Sequence, residues 1–296
     1  MKTMLIMMLM FLIAGRMQLS GEGVMTFQSI DGVSVTAIQD TASRMSAKLF
    51  SSPQADYPYD FDWPSDWEAS VNVFLVRTGG RIYLIDAGNA PEKGTLAGKL
   101  QSAGVAPEQV SGVLITHIHP DHVGGLLTLR DGAEVPLFPQ ATVYIAQEEY
   151  SAWEGDAGRQ ALARFLLPYR ERLRLFAYSD LLPDGFSARK AAGHTPGHTV
   201  YVLGRKWFIG DIVHAAGLQF EHPVFCARYD RDPALAVETR TTVLRVAAQQ
   251  SAVLLGAHIP FPGIGIVSGP EPRHHAARGT ETLHFRFQAL PGPALP

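Results

Sequence analysis

The sequence predicts an α/β fold, because segments with the pattern of strands alternate with segments with the pattern of helices along almost the whole chain. Of the 296 residues, 46% are hydrophobic and only 18% are charged, so the chain can bury a large core. No repeat, low-complexity tract or linker divides the sequence. We therefore predict one globular unit made of two mixed α/β halves that share a site.

Strands and helices can be assigned from hydrophobic periodicity and from turn residues. Residues 24–38 are predicted to form a hairpin around Asp31-Gly32, a dipeptide favoured in two-residue turns, and residues 71–86 to form a second hairpin around two glycines. The clearest helix follows Asp232, a good N-cap, and has proline at its first position. The remaining predicted strands cover residues 112–116, 142–146, 173–178, 185–192, 199–203, 206–210 and 251–256, and the predicted helices cover residues 91–103, 147–153, 158–167 and 233–249.

Residues 41–70 lose this periodicity and combine aromatic side chains with prolines and aspartates. Three interpretations are open: a lid or rim over a pocket, a loop whose aromatic side chains pack onto the core, or a contact in a homodimer. The aromatic residues of this segment are Tyr57, Tyr59, Phe61, Trp63 and Trp67.

The N-terminal segment has the composition of a signal peptide. Lys2 precedes an apolar run over residues 4–14, and the small residue Gly15 follows this run. Eleven apolar residues are too few to span a bilayer but suit the core of a signal peptide. The segment therefore predicts export, with no stable membrane insertion after processing.

The resulting domain assignment is a signal peptide over residues 1–23 and one folded domain over residues 24–296. The mature protein is then periplasmic or secreted. The alternative is a start codon placed too early, with translation beginning at Met17 or Met25, and in that case the protein is cytoplasmic.

The charge and the cysteine content exclude several classes of protein. A formal net charge of −3, a pI near 6.4 and the lack of any lysine- or arginine-rich run leave no surface for binding phosphate backbones, so nucleic acid is not expected as a partner. The single cysteine, Cys226, excludes an intramolecular disulfide and is expected to be a small buried residue. A small molecule is the partner that we expect.

The strongest chemical signal is a group of histidines directly after the buried strand predicted at residues 112–116. His117, His119, Asp121 and His122 lie within six residues. Alternate side chains of an extended segment share one side, so His117, His119 and Asp121 can converge. Imidazoles and carboxylates are the ligands that zinc and similar divalent ions accept. The segment therefore predicts one half of a metal site.

Three further groups complete this pattern. His198 lies in the segment Gly-His-Thr-Pro-Gly-His-Thr, Asp211 follows Gly210, and His258 follows Gly256-Ala257. Each of the three stands at the end of a predicted strand, where side chains from different strands can meet at one edge of a sheet.

The order of these motifs resembles that of the metallo-β-lactamase superfamily across most of residues 71–268. The stretches ITHIHPDHVGGL, GHTPGHTVYVL, GDIVHAAGLQF and AHIPFPGIG are especially similar to the methyl parathion hydrolase and lactonase-like branch. The resemblance implies an αβ/βα four-layer sandwich, in which two mixed sheets face each other with helices outside and the metal site lies at one edge.

The resemblance also implies a dinuclear centre with two divalent metal ions, zinc being the expected element. A hydroxide between the ions would be the nucleophile, and Asp121 and Asp211 would be the catalytic carboxylates. The ligand set that the resemblance implies is His117, His119 and His198 for one ion, Asp121, His122 and His258 for the other, and Asp211 as the bridge.

The expected activity is hydrolysis of a small ester-like substrate, which is an organophosphate triester, an aryl ester or a lactone. The true β-lactamases of the superfamily do not use a bridging aspartate in this way, so Asp211 argues against antibiotic hydrolysis. The acyl-homoserine lactonases usually have a tyrosine three residues after this aspartate, where the present chain has His214. That departure weakens the lactonase assignment and does not exclude it.

Two other functions remain open. One is an iron-dependent sulfur dioxygenase of the same fold, which holds a single redox-active metal; His122 and His258 disfavour it because they supply a second site. The other is a nonenzymatic metal-binding protein, which would take up metal without turnover and would have a closed coordination sphere.

Other polar residues have smaller expected roles. Asp86 follows a predicted strand and is expected to orient a ligand histidine. His194 is expected to stabilise its loop by a hydrogen bond instead of binding metal. His214 and His222 are expected near the pocket mouth, either in contact with substrate or as partly exposed side chains. The candidates for an apolar pocket wall, each of which is otherwise a core residue, are Trp153, Phe165, Phe220, Phe225 and Phe261.

Overall fold

Two β-sheets form the centre of the molecule in the computed structural model, which describes residues 17–28, 32–53, 64–275 and 280–290. The strands are β1 (Met17–Gly21), β2 (Val24–Gln28), β3 (Ser34–Ser46), β4 (Phe50–Ser51), β5 (Asp66–Thr78), β6 (Arg81–Ile85), β7 (Val110–Leu114), β8 (Leu127–Arg130), β9 (Ala133–Pro136), β10 (Thr142–Ala146), β11 (Leu173–Phe176), β12 (Ser187–Lys190), β13 (Thr199–Leu203), β14 (Lys206–Gly210), β15 (Cys226–Ala227), β16 (Val253–Gly256), β17 (Ile264–His275) and β18 (Thr280–Ala289). The α-helices are α1 (Leu96–Ser102), α2 (Pro120–Val123), α3 (Gln147–Ala152), α4 (Asp156–Ala161), α5 (Ala216–Gln219) and α6 (Pro233–Gln249).

The larger sheet has eight strands in the order β1-β2-β3-β5-β6-β7-β10-β11. Its first five strands are antiparallel, and β6, β7, β10 and β11 run parallel. The second sheet has six strands in the order β12-β13-β14-β16-β17-β18, with one parallel pair, β14 and β16. Both sheets are therefore mixed, and the parallel strands of each sheet end at the edge that carries the histidine motifs.

The core between the two sheets is built from side chains of both. Val35 and Phe74 of the larger sheet pack with Tyr201, Phe208 and Leu255 of the second sheet, and the rings of Phe74 and Phe208 are 5.8 Å apart. A second apolar cluster lies between the larger sheet and its helices, and a third lies between the second sheet and α6. This arrangement of helix, sheet, sheet and helix confirms the predicted α/β class and four-layer sandwich.

The bounds of helix α6 could be predicted from the residues at its own start. The side chain of Asp232 accepts the backbone N–H of Leu235 at 3.0 Å, and proline occupies the first helical position. The inward face is formed by residues three or four positions apart, so the helix covers the second sheet. The buried residues of this face are Ala236, Arg240, Leu244 and Ala247.

Helix α1 is shorter than the helix predicted over residues 91–103. Its N-terminus is fixed by Asp40 of β3, whose carboxylate accepts the backbone N–H groups of Thr95 and Leu96 at 2.6 Å and 2.9 Å. A capping carboxylate that comes from a distant strand leaves no mark next to the helix in the sequence. The prediction therefore began this helix too early.

The helix predicted over residues 158–167 is two different helices. Helix α4 ends at Ala161, and a π-helical turn follows over Leu162–Leu166. Pro168 lies just beyond this turn and lacks the N–H that would continue a regular α-helix. The periodic apolar pattern predicted the helical character but could not predict the change of hydrogen-bond spacing.

The segment over residues 41–70 is in part strand. Strands β3 and β5 extend far into it and pair with each other, with Ser46 opposite Asp66. Trp67 packs edge-on against Phe50 at 5.4 Å, which agrees with the interpretation as core packing for this residue. The interpretation as a lid or dimer contact concerns Tyr57, Tyr59, Phe61 and Trp63, and these residues lie outside the described part of the chain.

The predicted signal segment can be compared with the structure only over its last part, residues 17–23. Residues 1–16 lie outside the described residues, so the signal peptide itself stays a prediction. Strand β1 pairs antiparallel with β2 in the larger sheet, so the folded unit already includes residues that we assigned to the signal segment. Within the described ranges, no helix has both the length and the apolar character needed to cross a membrane.

Candidate metal centre

The histidine motifs meet at one edge of the sandwich, where strands of both sheets end. His117 and His119 follow β7 of the larger sheet, and His122 lies in α2 directly after them. Asp211 follows β14 and His258 follows β16, both in the second sheet. The two sheets are joined here by main-chain hydrogen bonds, such as the one that residue 199 donates to the carbonyl of residue 116 at 2.9 Å.

The first group of donor atoms combines four side chains, His117, His119, His194 and Asp211, whose ligand atoms all lie within 4.8 Å of one another. Nδ1 of His119 is 2.9 Å from Nε2 of His117 and 3.0 Å from Nε2 of His194. Nε2 of His194 is also 3.2 Å from Oδ2 of Asp211. The four side chains therefore direct three nitrogen atoms and one carboxylate oxygen at a common point.

The second group lies next to the first and combines Asp121, His122 and His258, again within 4.8 Å. Oδ2 of Asp121 is 3.4 Å from Nε2 of His258 and 3.8 Å from Nε2 of His122. Asp211 reaches this group too, since its Oδ1 is 3.1 Å from Nε2 of His122 and its Oδ2 is 3.2 Å from Nε2 of His258. The carboxylate of Asp211 thus lies between the two groups.

The assignment of His198 to the first group is corrected by the structure. Nε2 of His198 accepts the backbone N–H of Asp211 at 3.0 Å, so this nitrogen is used to position the aspartate loop. His194, which we expected only to stabilise its loop, supplies the nitrogen next to His117 and His119. The two histidines stand four positions apart in one glycine-rich turn, and spacing alone does not indicate which ring faces the other motifs.

Buried carboxylates orient the rings of two of these histidines. Asp86, as predicted, is hydrogen-bonded to Nδ1 of His122 at 2.8 Å, and it also accepts the backbone N–H and the hydroxyl of Thr116. Asp230, which the sequence analysis did not single out, is hydrogen-bonded to Nδ1 of His194 at 2.8 Å. With Nδ1 engaged in each ring, Nε2 is the atom that faces the cluster.

The protonation of the donors is set by burial and by their neighbours. Burial lowers the pKa of His117 well below its usual range and that of His119 to about 3, so both rings are neutral and keep a lone pair. Burial opposes the charge of Asp211, but the imidazoles around it, His122 first, hold its pKa well below the usual range. Burial also opposes the charge of His194, but Asp211 outweighs it and raises the pKa to about 9. The ionised carboxylate of Asp211 therefore makes the centre of the cluster favourable for a cation.

The family model described as the metallo-beta-lactamase superfamily matches residues 66–258. This chain belongs to that superfamily. Among solved structures, the hydrolase AbOPH in the beta lactamase superfamily is 32% identical with a TM-score of 0.76, and the match covers 90% of this chain and 97% of that one. AidC, a dizinc quorum-quenching lactonase in complex with a product, is 22% identical with a TM-score of 0.72 over 95% of this chain and 98% of that one, which is a likeness of fold alone.

Curated relatives of this superfamily member match it over a shorter region. Hydroxyacylglutathione hydrolase from Xanthomonas euvesicatoria pv. vesicatoria is 28% identical over 144 residues, which is 48% of this chain and 46% of the relative. The probable metallo-hydrolase YybB from Bacillus subtilis is 27% identical over 146 residues, which is 48% of this chain and 61% of the relative. The chain thus spans less than two thirds of the length of these relatives, and both are hydrolases by name.

One carboxylate holds the two histidine loops of this metallo-β-lactamase superfamily member together. Oε1 of Glu149 accepts the backbone N–H of Ile118 at 2.9 Å and the indole N–H of Trp153 at 2.8 Å. Oε2 accepts the hydroxyl of Thr195 at 2.7 Å and the backbone N–H of Gly197 at 3.0 Å. Glu149 was not identified in the sequence, because a glutamate at the start of a helix has the pattern of a solvent-exposed residue.

The opening of the site is marked by the residues that keep contact with solvent. The side chain of Asp121 is 32% exposed, while the other carboxylate of the cluster, Asp211, is buried. The ring of Trp153 lies 5.5 Å from that of His119, and the guanidinium of Arg231 lies over Trp153 at 4.6 Å. Among the described residues, Trp153 is the predicted wall residue whose ring contacts a donor histidine. The other predicted wall residues pack in the apolar clusters of the core; they are Phe165, Phe220, Phe225 and Phe261.

Proposed function

We propose that this protein is a hydrolase that binds two divalent metal ions, with zinc as the native element, and cleaves an ester-like bond in a small molecule. The observation that carries the proposal is the pair of donor groups that share Asp211. The substrate class is an organophosphate triester, an aryl ester or a lactone.

The donor atoms fit metal ions in their chemistry and in their lack of other partners. Nε2 of His122 and Oδ1 of Asp211 are buried and lie 3.1 Å apart, but neither makes a hydrogen bond of normal geometry among the residues that the structure describes. A buried polar atom without a partner costs about 1–3 kcal/mol, so a cation at this point would offset an otherwise unfavourable arrangement. Imidazole nitrogen and carboxylate oxygen are ligands that zinc accepts.

The two donor groups support a proposal in which each group binds one ion. When bound, the ions would supply Lewis acidity and a water molecule acidic enough to act as a nucleophile at neutral pH. The proposed ligands are His117, His119 and His194 for one ion, Asp121, His122 and His258 for the other, and Asp211 for both.

The protein's own contribution is to hold these side chains in place and to move a proton. Hydrogen bonds to Asp86, to Asp230 and to the carbonyl of Ser70 fix the rings that carry Nε2 into the cluster. Oδ2 of Asp121 lies beside the cluster, and the Asp121 side chain is partly open to solvent. We assign to this carboxylate the acceptance of the proton that the attacking water loses.

The substrate class is supported by the opening of the site and by the relatives. Trp153 and the half-exposed ring of Tyr229, which lies 6.4 Å from the ring of His214, offer apolar surface beside the donor groups. Solved structures of similar fold include a dizinc lactonase, and curated relatives include a hydroxyacylglutathione hydrolase. Both names describe hydrolysis of an acyl compound.

The test combines metal analysis with a substrate panel. Mass spectrometry of the purified protein should find two zinc ions per chain, and the enzyme should hydrolyse at least one of a paraoxon-like triester, an aryl ester and an acyl lactone. One iron per chain would instead support the sulfur dioxygenase, and metal without any turnover would support a binding protein. Either result would contradict the proposal.

The variant Asp211→Asn isolates the role of the shared carboxylate. It keeps the size of the side chain but removes the charge, so we expect kcat/KM to fall by more than about a hundredfold, together with loss of bound metal. The matched control is Asp131→Asn, because Asp131 lies in an exposed turn at positive φ, which asparagine tolerates equally well. Full activity of Asp211→Asn would show that the carboxylate is not shared between metal ions.

A further inference from the structure

His214 is a buried histidine that lies next to the donor groups. The proposed function gives it no role. Its side chain is 1% exposed. Neither ring nitrogen makes a hydrogen bond of normal geometry among the residues that the structure describes; the carboxylate of Asp211 is close to Nε2 but is not aligned with it. Buried imidazoles normally have at least one nitrogen engaged, and leaving both without a partner is unfavourable by about 1–3 kcal/mol for each nitrogen. The nitrogen atoms of this ring are therefore available to bind a ligand.

The ring lies against the centre of the cluster. Nε2 of His214 is 3.1 Å from Oδ2 of Asp211, which is the carboxylate shared by the two groups. The imidazole stacks on that of His258 with 5.4 Å between the ring centroids and 16° between the planes, and it lies 4.8 Å from the ring of His194. His214 thus stands beside one proposed ligand of each ion.

The backbone that carries this ring is held by hydrogen bonds. The side chain of Gln219 in α5 accepts the backbone N–H of His214 at 2.6 Å and that of Ala215 at 3.1 Å. The amide group of Gln219 in turn donates to the carbonyl of Phe225 at 2.8 Å. These bonds hold the loop after Asp211 against the short helix, so the backbone of His214 is held in place without any contact of the ring nitrogens.

Two combinations of neighbouring donor residues include His214, and in one of them the donor atoms are free to bind a metal ion. The first consists of His214, His194 and Asp230, but Asp230 is already bonded to Nδ1 of His194 and to the backbone N–H of residue 227. The second consists of His214, Asp211 and His258, whose ligand atoms lie within 4.8 Å of one another. In this second combination, Nε2 of His258 faces the cluster because its Nδ1 donates to a main-chain carbonyl.

We propose that His214 is an additional nitrogen ligand of the metal centre and binds the ion that is held by His258 and Asp211. The inference rests on the metal-binding part of the proposed function. It adds one imidazole to the seven ligands, and it gives that ion a more nitrogen-rich and more rigid coordination sphere.

The test compares the wild-type protein with His214→Phe, which keeps an aromatic ring but has no nitrogen. We expect two zinc ions per wild-type chain, and competition with a chromophoric chelator should show that the variant binds one of the two at least about tenfold more weakly. His284→Phe is the control, because His284 is a histidine of β18 that makes no contact with the donor groups; its zinc affinities should equal those of the wild type.

A second measurement does not depend on folding of the variant. In the cobalt-substituted wild-type protein, each coordinated imidazole contributes one exchangeable N–H resonance that the paramagnetic ion shifts. The inference requires one such resonance beyond the five that come from the other proposed histidine ligands, which are His117, His119, His122, His194 and His258. Only five shifted resonances, or unchanged zinc affinity in His214→Phe, would overturn the role of His214 and leave the dinuclear centre intact. A wild-type protein that binds no metal would overturn both.

Discussion

A single side chain, Glu149, determines how the two histidine loops sit relative to each other. Its two oxygen atoms together accept four hydrogen bonds, and the donors come from the loop before α2, from the residue that follows α3 and from the loop before β13. The variant Glu149→Gln turns one of these oxygens into an NH₂ group that faces two donors. We expect a loss of about 1.5–3 kcal/mol for each of the two hydrogen bonds that fail, measured as the free energy of unfolding in urea.

The same substitution should also weaken metal binding by about tenfold, because the loops that carry His119 and His194 lose their common support. Glu148→Gln is the matched control: Glu148 is the neighbouring residue, its side chain is 51% exposed, and its ion pair with Lys190 is on the surface. That variant should change stability by less than about 1 kcal/mol. Equal effects of the two substitutions would mean that Glu149 does not join the loops.

The residues of the site could be predicted only as far as their chemistry is local. The segment that contains His117 and His122 could be identified from the sequence, because several metal-binding residue types stand at a strand end within a few positions. The choice between His194 and His198 depended on which ring faces the carboxylate of Asp211 and which one faces its backbone N–H, and this is decided by hydrogen bonds across the fold. Glu149 likewise acts through partners that are distant in sequence, so no local pattern reveals it.

At the scale of elements, helix α6 supports the site through one buried arginine. Nε of Arg240 donates to the carbonyl of Ile212 at 2.7 Å, and Nη1 donates to the carbonyls of Pro223 and Phe225 at 2.7 Å and 2.8 Å. Nη2 lies 3.6 Å from Oδ2 of Asp230, the carboxylate that orients a ring of the cluster. The helix thus holds both the loop after Asp211 and the aspartate behind that ring.

Arg240→Met should therefore destabilise the protein by about 3–5 kcal/mol, since a buried carboxylate loses its cation and three carbonyls lose a donor. The measurement is urea unfolding of the metal-loaded protein. Arg245→Met serves as the control, because Arg245 is an exposed residue of the same helix and methionine is a comparable helix former. A change below about 1 kcal/mol in Arg240→Met would contradict the role of the arginine.

The elements that matched their predicted bounds are those whose ends are marked by neighbouring residues. Strand β10 and helix α6 have the predicted ranges, because a turn precedes the first and Asp232 with proline begins the second. The start of α1 depends on Asp40 of another strand, and the long pairing of β3 with β5 depends on a partner that the irregular composition of residues 41–70 concealed. The sequence did not predict the ends of those strands and helices that are set by tertiary contacts.

At the scale of the whole molecule, the candidate metal centre lies across the junction of the two halves. The segment that carries His117 and His122 belongs to the larger sheet, whereas Asp211 and His258 belong to the second sheet. A few direct bonds also cross the junction, among them those from the side chain of Asn72 to the carbonyls of residues 256 and 259, at 3.1 Å and 2.7 Å. Ions bound by both halves would add to these bonds.

Removal of metal should consequently lower the stability of the entire domain and not of one loop. Ions that bind only the folded chain, at a thousand times their Kd, stabilise it by about 4 kcal/mol, so chelation should lower the Tm in a single cooperative calorimetric transition. Zinc should restore the Tm of the wild type but not that of Asp211→Ala, which lacks the shared carboxylate. If complete removal of metal left the wild-type Tm unchanged, ions that connect the two sheets would be ruled out, and the buried donors would have to be stabilised by protons alone.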